Sequence, residues 1–156
     1  MVVFIEEHRH LLKRLVEFEV DFIIIGGYAV NFYGYNRPTG DMDIWLRPDD
    51  ENKDKFIEML RSEGFSKVSI NAVAKLNFEK PNVFHLGKPP KRIDFLTKIS
   101  RVDFDAAWKR KKMLVVDTVS IPVIHLHDLI LAKTGTGRTR DKADIEELQK
   151  INRKRQ

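Results

Sequence analysis

Cysteine is absent from all 156 residues, which excludes disulfides, thiolate zinc sites and cysteine nucleophiles and fits a reducing compartment. No stretch approaches the roughly 18 consecutive apolar residues of a membrane span. The opening "MVVFIEEHRHLLKRL" meets acids and bases too early for a secretory leader. Internal repeats and low-complexity segments are missing as well. The expectation is a soluble, cytoplasmic protein with no membrane contact. What is present is a 42% hydrophobic composition. A chain of this length buries about two-thirds of the surface it exposes when unfolded. One domain over 1–156 is therefore expected, with a sheet-and-helix part over 1–122 and helices over 123–156.

Charge is unevenly placed. The formal total is +5, yet residues 88–112 carry nine Lys/Arg against three acids, and residues 133–156 carry eight against four. The rest of the chain must then be net acidic. Basic flanks around an acidic centre suit a polyanionic partner, a nucleotide or a nucleic acid, held near a divalent cation. The plainer alternative is solvated surface with a frayed basic tail, "INRKRQ".

The apolar pattern predicts a mixed α/β arrangement with a central sheet and a helical C-terminal section. Residues 3–18 read as an amphipathic helix burying Ile5, Leu11, Leu12, Leu15 and Val16. "DFIII" reads as a buried strand, and "YAVNFYGY" as a helix with Tyr28, Ala29, Phe32 and Tyr33 on one face. "DMDIWL" is the second strand. "DENKDKFIEMLRSEGF" reads as a helix capped by Asp49 or Asp50 and stopped by Gly64. "VFHLG" and "KRIDFLT" form a hairpin across "KPPK". A short helix over 104–108 follows. "MLVVD" and "VSIPVI" read as strands, with Pro122 pushing the second toward a sheet edge. Helices are expected over 126–134 and 140–152.

Within this frame the stretch "IIIGGYAVNFYGYNRPTGDMDIWL" carries the chemistry. Side chains alternate along a strand, so Asp41 and Asp43 point to one face about 6 to 7 Å apart. Such carboxylates repel unless a cation lies between them, and hard oxygen donors match Mg²⁺ or Mn²⁺ better than zinc. Asp94 in "RIDFL" is a third strand-borne acid, with salt-bridge duty toward Arg92 or Lys91 as its simpler reading. Three such carboxylates meet the requirement of a two-metal phosphoryl-transfer site, with ions roughly 3.5 to 4 Å apart. Gly26 and Gly27 let the backbone approach a ligand and aim N–H groups at phosphates.

Outside that stretch, Lys133 falls on the buried face of its helix beside Leu126, Leu129 and Ile130. It is either a snorkelling last-turn lysine or a triphosphate contact. Arg138 has the planar fork to hold phosphate or substrate, Asp141 reads as a helix-dipole partner, and Thr139 as a cap. Arg37, before Pro38, reaches nucleotide or acceptor, or is plain surface. His125 and His127 read as structural. Tyr28, Phe32, Tyr33 and Trp45 read as core rather than a base-stacking platform.

The same stretch resembles the signature of the nucleotidyltransferase superfamily with the DNA-polymerase-β-like fold: apolar strand, glycine pair, spacer helix, acid pair. "RIDFL" resembles its third carboxylate strand. The narrower likeness is to AbiEii-type toxins and related minimal nucleotidyltransferases, which often close on a segment like "LHDLILAKTGTGRTRDKADIEEL". The resemblance covers nearly the whole chain, 65–85 matching least. It implies that Asp41 and Asp43 bind both of two Mg²⁺ or Mn²⁺ ions. Asp94 would bind one and activate the attacking hydroxyl, while Gly26 and Gly27 contact the triphosphate of the NTP, ATP among the candidates. Many members carry Ser where this chain has Gly27, so a hydroxyl contact to phosphate is missing there.

Two function classes follow. The first is a metal-dependent enzyme moving an NMP from an NTP to an acceptor hydroxyl, with an RNA such as tRNA in a toxin–antitoxin setting favoured by the basic flanks. A protein hydroxyl or an antibiotic-like small molecule stays open as acceptor. The second is a non-catalytic nucleotide sensor or antitoxin-like module. A chain this short leaves little room for an acceptor domain, which points to a partner chain or a homodimer.

Overall fold

The computed structural model describes residues 2–155, so Met1 and Gln156, the ends of the expected 1–156 span, lie outside the described residues. A six-stranded mixed sheet forms its centre. In chain order come α1 (Glu6–Glu17), β1 (Phe22–Ile25), α2 (Gly26–Phe32), β2 (Met42–Leu46), α3 (Asp50–Ser62) and α4 (Lys67–Ala74). Next are β3 (Val83–Leu86), β4 (Ile93–Leu96), α5 (Phe104–Arg110), β5 (Lys112–Val116), β6 (Val119–Val123), α6 (Leu126–Thr134) and α7 (Thr139–Arg155). Across the sheet the order is β3-β4-β2-β1-β6-β5. β1 runs antiparallel to β2 and parallel to β6, while β2 and β4 are parallel. The expected β3/β4 hairpin forms, antiparallel.

Each central strand is short and apolar because it is buried on both faces. All four residues of β1 are buried, and Met42, Ile44, Trp45 and Leu46 of β2 are too. The core extends into the C-terminal helices through Leu126, Leu129 and Leu148. Tyr28, Tyr33 and Trp45 are core residues as expected, with Phe32 half-buried against them. Trp45 packs edge-on against Phe104 and donates to the Thr97 carbonyl at 3.2 Å. Phe56, Phe84 and Phe95 interlock below β3 and β4.

Several sequence expectations need correction. The first helix begins at Glu6, after Ile5, and Ile5 and Val16 are exposed: the true stripe is His8, Leu11, Leu12 and Leu15. Those four sit at three- and four-residue spacing on one helix face, and Val16, four residues after Leu12, lies at the edge of that face and stays exposed. Asp49 is the cap of α3, accepting from the Asn52 amide at 2.8 Å, and Gly64 follows its end at φ +80°. α4 had no counterpart in the sequence reading. It is a short helix whose only side-chain cap is Ser66, with Ile70 and Val73 as its sole buried residues. Pro122 does not put its strand at an edge, since β6 lies between β1 and β5. The β1 pairing of β6 is confined to Ile24 and Val123, beyond the proline, so no ladder bond needs the missing N–H on that side. Thr139 is the first residue of α7 rather than a cap ahead of it, and the tail is helical to Arg155 rather than frayed. Among the described residues no helix is long and apolar enough to cross a membrane.

Candidate active site

β1 ends where α2 begins, and the two glycines at that junction are required for different reasons. Gly26 has φ +67°, and a Cβ there would lie 2.1 Å from Oδ2 of Asp43. Both the backbone and the neighbouring carboxylate therefore demand glycine. Gly27 has an ordinary φ; a Cβ there would instead lie 2.2 Å from Thr39 Oγ1. α2 carries no side-chain cap, leaving its first amides open to a ligand.

Asp43 sits opposite Ile25 across the β1/β2 pair and opposite Asp94 across the parallel β2/β4 pair. Neighbouring strands lie about 4.8 Å apart, so the two carboxylates leave one sheet face side by side. Asp41 stands one residue before β2, in a bend, rather than inside the strand as the sequence implied. Its carboxylate still acts on the same point. Burial first, then the charges of Asp94 and Asp41, push the Asp43 carboxyl up to about 6, with Lys133 and Arg138 pulling the other way. Such a shift marks negative potential with too little compensation.

Arg92 supplies part of the balance. Its Nε donates to Asp94 Oδ1 at 2.9 Å and lies 3.5 Å from Asp41 Oδ2, so it spans the two outer acids. The salt-bridge reading of Asp94 thus holds alongside the carboxylate cluster. Among the described residues no three His, Cys, Asp or Glu side chains close around one point in this arrangement. The donor set itself fits a hard divalent cation: it is oxygen only, it has three acids at one end of the sheet, and the middle one is undercompensated.

The remaining cations come from the C-terminal helices, and most are already paired. Lys133 is buried, 8% exposed, and its Nζ meets Asp141 Oδ1 at 3.0 Å and Asp144 Oδ2 at 2.9 Å. It does not snorkel to water. Arg37 grips Asp144 with two bonds of 2.7 and 2.9 Å, linking the β2-side loop to α7. Asp141 is far more than a dipole partner. Burial alone would raise its carboxyl, but hydrogen bonds from Thr136, Lys133 and Arg138 hold it down to about 2. Arg138 keeps one bond to Asp141 while its side chain stays 72% exposed, free to turn toward a ligand. Arg140, which sequence reading passed over, lines the same cavity. Its one signal was the alternation in "GRTRD", which puts one arginine just ahead of α7 and the other in its first turn.

Two cavities meet at Asp43 and Asp94. One, of about 350 Å³, is polar and bordered by Gly26, Gly27, Thr39, Asp41, Arg138 and Arg140. The other, of about 410 Å³, runs under α6 with Ile25, Leu96, Ile99, Ile124 and Leu129 as walls and Lys98 at its edge. Lys133 and Arg138 border both. His125 and His127 take no part: His125 caps α6, accepting from the His127 amide at 3.1 Å.

Comparison with solved structures supports the same architecture. The lincosamide antibiotic adenylyltransferase LnuA, in its lincomycin-bound form, is 18% identical, with a TM-score of 0.59 over 97% of this chain and 99% of that one. A putative nucleotidyltransferase from Thermotoga maritima, TM1012, is 19% identical, with a TM-score of 0.58 over 92% and 90%. At such identities the likeness establishes the fold. No curated protein matches the chain in sequence. The family model described as nucleotidyl transferase of unknown function (DUF2204) matches residues 5–156, and the chain belongs to that family.

Proposed function

We propose that this protein transfers an NMP from an NTP to an acceptor hydroxyl and releases pyrophosphate. The observation that carries the reading is the meeting of Asp41, Asp43 and Asp94 with a cation-lined cavity at a glycine turn. Asp41, Asp43 and Asp94 would hold two Mg²⁺ or Mn²⁺ ions, which would stabilise charge on the transferring phosphoryl oxygens. The NTP lies with its triphosphate against Gly26 and Gly27, and its outer phosphates face Arg138 and Arg140. Asp94 takes the proton of the acceptor hydroxyl as that oxygen bonds to the α-phosphorus. The bond to the bridging oxygen breaks and pyrophosphate departs toward the arginines. Lys133 and Arg37 serve this site by fixing α7 over it, and Lys133 also lends its charge to Asp43.

Two acceptor classes draw on different observations. Exposed Lys98 and Arg140 at the cavity mouths favour RNA, the acceptor implied by the toxin-like sequence resemblance. Three of the nine basic residues in 88–112 are already paired, however: Lys91 with Glu7, Arg92 with Asp94, Arg110 with Asp128. The mainly apolar cavity of about 410 Å³ favours a small hydroxyl-bearing molecule, since clefts of a few hundred Å³ with apolar walls suit ligands of that size. The lincosamide enzyme acts on an antibiotic, which agrees with the second class.

The test is incubation with each α-labelled NTP and Mg²⁺, once with total RNA and once with a small-molecule extract. Label should move to one acceptor pool and stay put with Asp94→Ala. Label that moves equally well with Asp94→Ala, or in neither pool, would contradict the reading.

A further inference from the structure

Gly27 poses a question that its own backbone does not answer. Gly26 needs glycine for its positive φ; Gly27 does not, and only one neighbour excludes a side chain there. That neighbour is Thr39. An added Cβ at residue 27 would lie 2.2 Å from Thr39 Oγ1, 2.8 Å from Thr39 Cβ and 3.3 Å from Arg37 Nη1. The space beside the turn is thus reserved for a hydroxyl arriving from the loop that leads into β2.

We infer that the Thr39 hydroxyl is a phosphate-binding group, brought to the glycine turn from this facing loop. Its surroundings are built for the task. Thr39 lines the polar cavity together with Gly27, Arg138 and Arg140. Among the described residues its Oγ1 makes no hydrogen bond, whereas the neighbouring Asn31 amide and Thr136 hydroxyl are both engaged. The loop carrying it is held on the stretch that leads to Thr39. Asn31 Nδ2 donates to the carbonyls of Tyr35 and Arg37 at 2.9 Å each, and the Arg37 guanidinium is clamped by Asp144. A hydroxyl fixed in place before binding loses little entropy when an oxyanion arrives. The ligand class is a polyphosphate, the triphosphate of the nucleotide, and the assignment rests on reading that cavity as the triphosphate site.

Four variants test it, by calorimetric binding of Mg²⁺-tripolyphosphate and Mg²⁺-ATP, with thermal unfolding recorded in parallel. Thr39→Val keeps the shape and removes the hydroxyl; it should weaken both ligands about tenfold or more at an unchanged unfolding midpoint. Thr39→Ser should bind as the parent does. Gly27→Ser alone should weaken binding by collision with Thr39. The pair Gly27→Ser with Thr39→Gly moves the hydroxyl to the other side of the gap and should recover most of the loss. This pair carries the test should Thr39→Val fail to fold. If the parent binds tripolyphosphate and Thr39→Val binds it as tightly, the Thr39 assignment falls and the cavity reading stands. If the parent binds neither ligand, both fall.

Discussion

At the scale of single residues, two aspartates near the site bear opposite relations to stability. Asp43 has its carboxyl raised to about 6 from an ordinary value of 3.8. The folded state then holds that proton more tightly than the unfolded state does, so stability falls as pH rises from about 4 through about 6 and the cost persists above. Asp43→Asn should therefore stabilise the metal-free protein by about 2 kcal/mol near neutral pH, and by nothing below about pH 4. Asp141 runs the other way. Held down to about 2, it contributes stability above its unfolded value that is lost as pH falls from about 4 through about 2. Asp141→Asn should destabilise by about 2 kcal/mol at neutral pH. Urea melts at several pH values check both, and equal signs for the two variants would contradict the assignment of Asp43 as an undercompensated functional acid. The motif residues themselves were legible in the sequence because strand alternation fixes where Asp43 and Asp94 point. The hydroxyl of Thr39 was not, because no local pattern reveals that a loop residue fills the space at residue 27.

Between elements, the site is assembled by buried ion pairs that cross long stretches of chain. Arg37 and Asp144 are 107 residues apart, and Lys133 reaches both Asp141 and Asp144. Arg110 and the fully buried Asp128 tie α5 to α6 by a second two-pronged pair. Removing one member of such a set strands buried charge, which costs about 3 kcal/mol or more. Lys133→Met should thus lower stability by about that amount in chemical denaturation. Arg138→Gln touches an exposed side chain and should leave stability within about 0.5 kcal/mol while weakening NTP binding. If Arg138→Gln proved the more destabilising of the two, the division into structural and ligand-facing cations would be wrong. Sequence reading placed Lys133 on the buried face yet missed its partners. Helical spacing reports a residue's own face and says nothing of an acid arriving from the next helix. α4 escaped notice for a related reason: with two buried residues it has almost no apolar period to detect.

For the molecule as a whole, the sheet brings three chain segments to one edge of a shared pocket. The strand order puts β2 between β1 and β4, so the glycine turn, the acid pair and the third acid converge without any long loop. That convergence was legible beforehand in the order strand, glycine pair, helix, acid pair. The family match over residues 5–156 and the likeness to solved structures bear on the fold that carries it. Less legible was the second, apolar cavity, whose walls come from β1, β3, β4, Ile124 just after β6, and α6 and share no motif.

The central claim is that this pocket breaks the bond between the α- and β-phosphates of an NTP. It is tested most directly by supplying ATP, GTP, CTP and UTP in parallel, each labelled once at the α- and once at the γ-phosphate, with Mg²⁺ and a cell extract as the source of acceptor. The account predicts α-label on an acceptor, γ-label in pyrophosphate, and neither event with Asp43→Asn or without metal. Release of γ-label as single phosphate, or transfer that persists in Asp43→Asn, would contradict it.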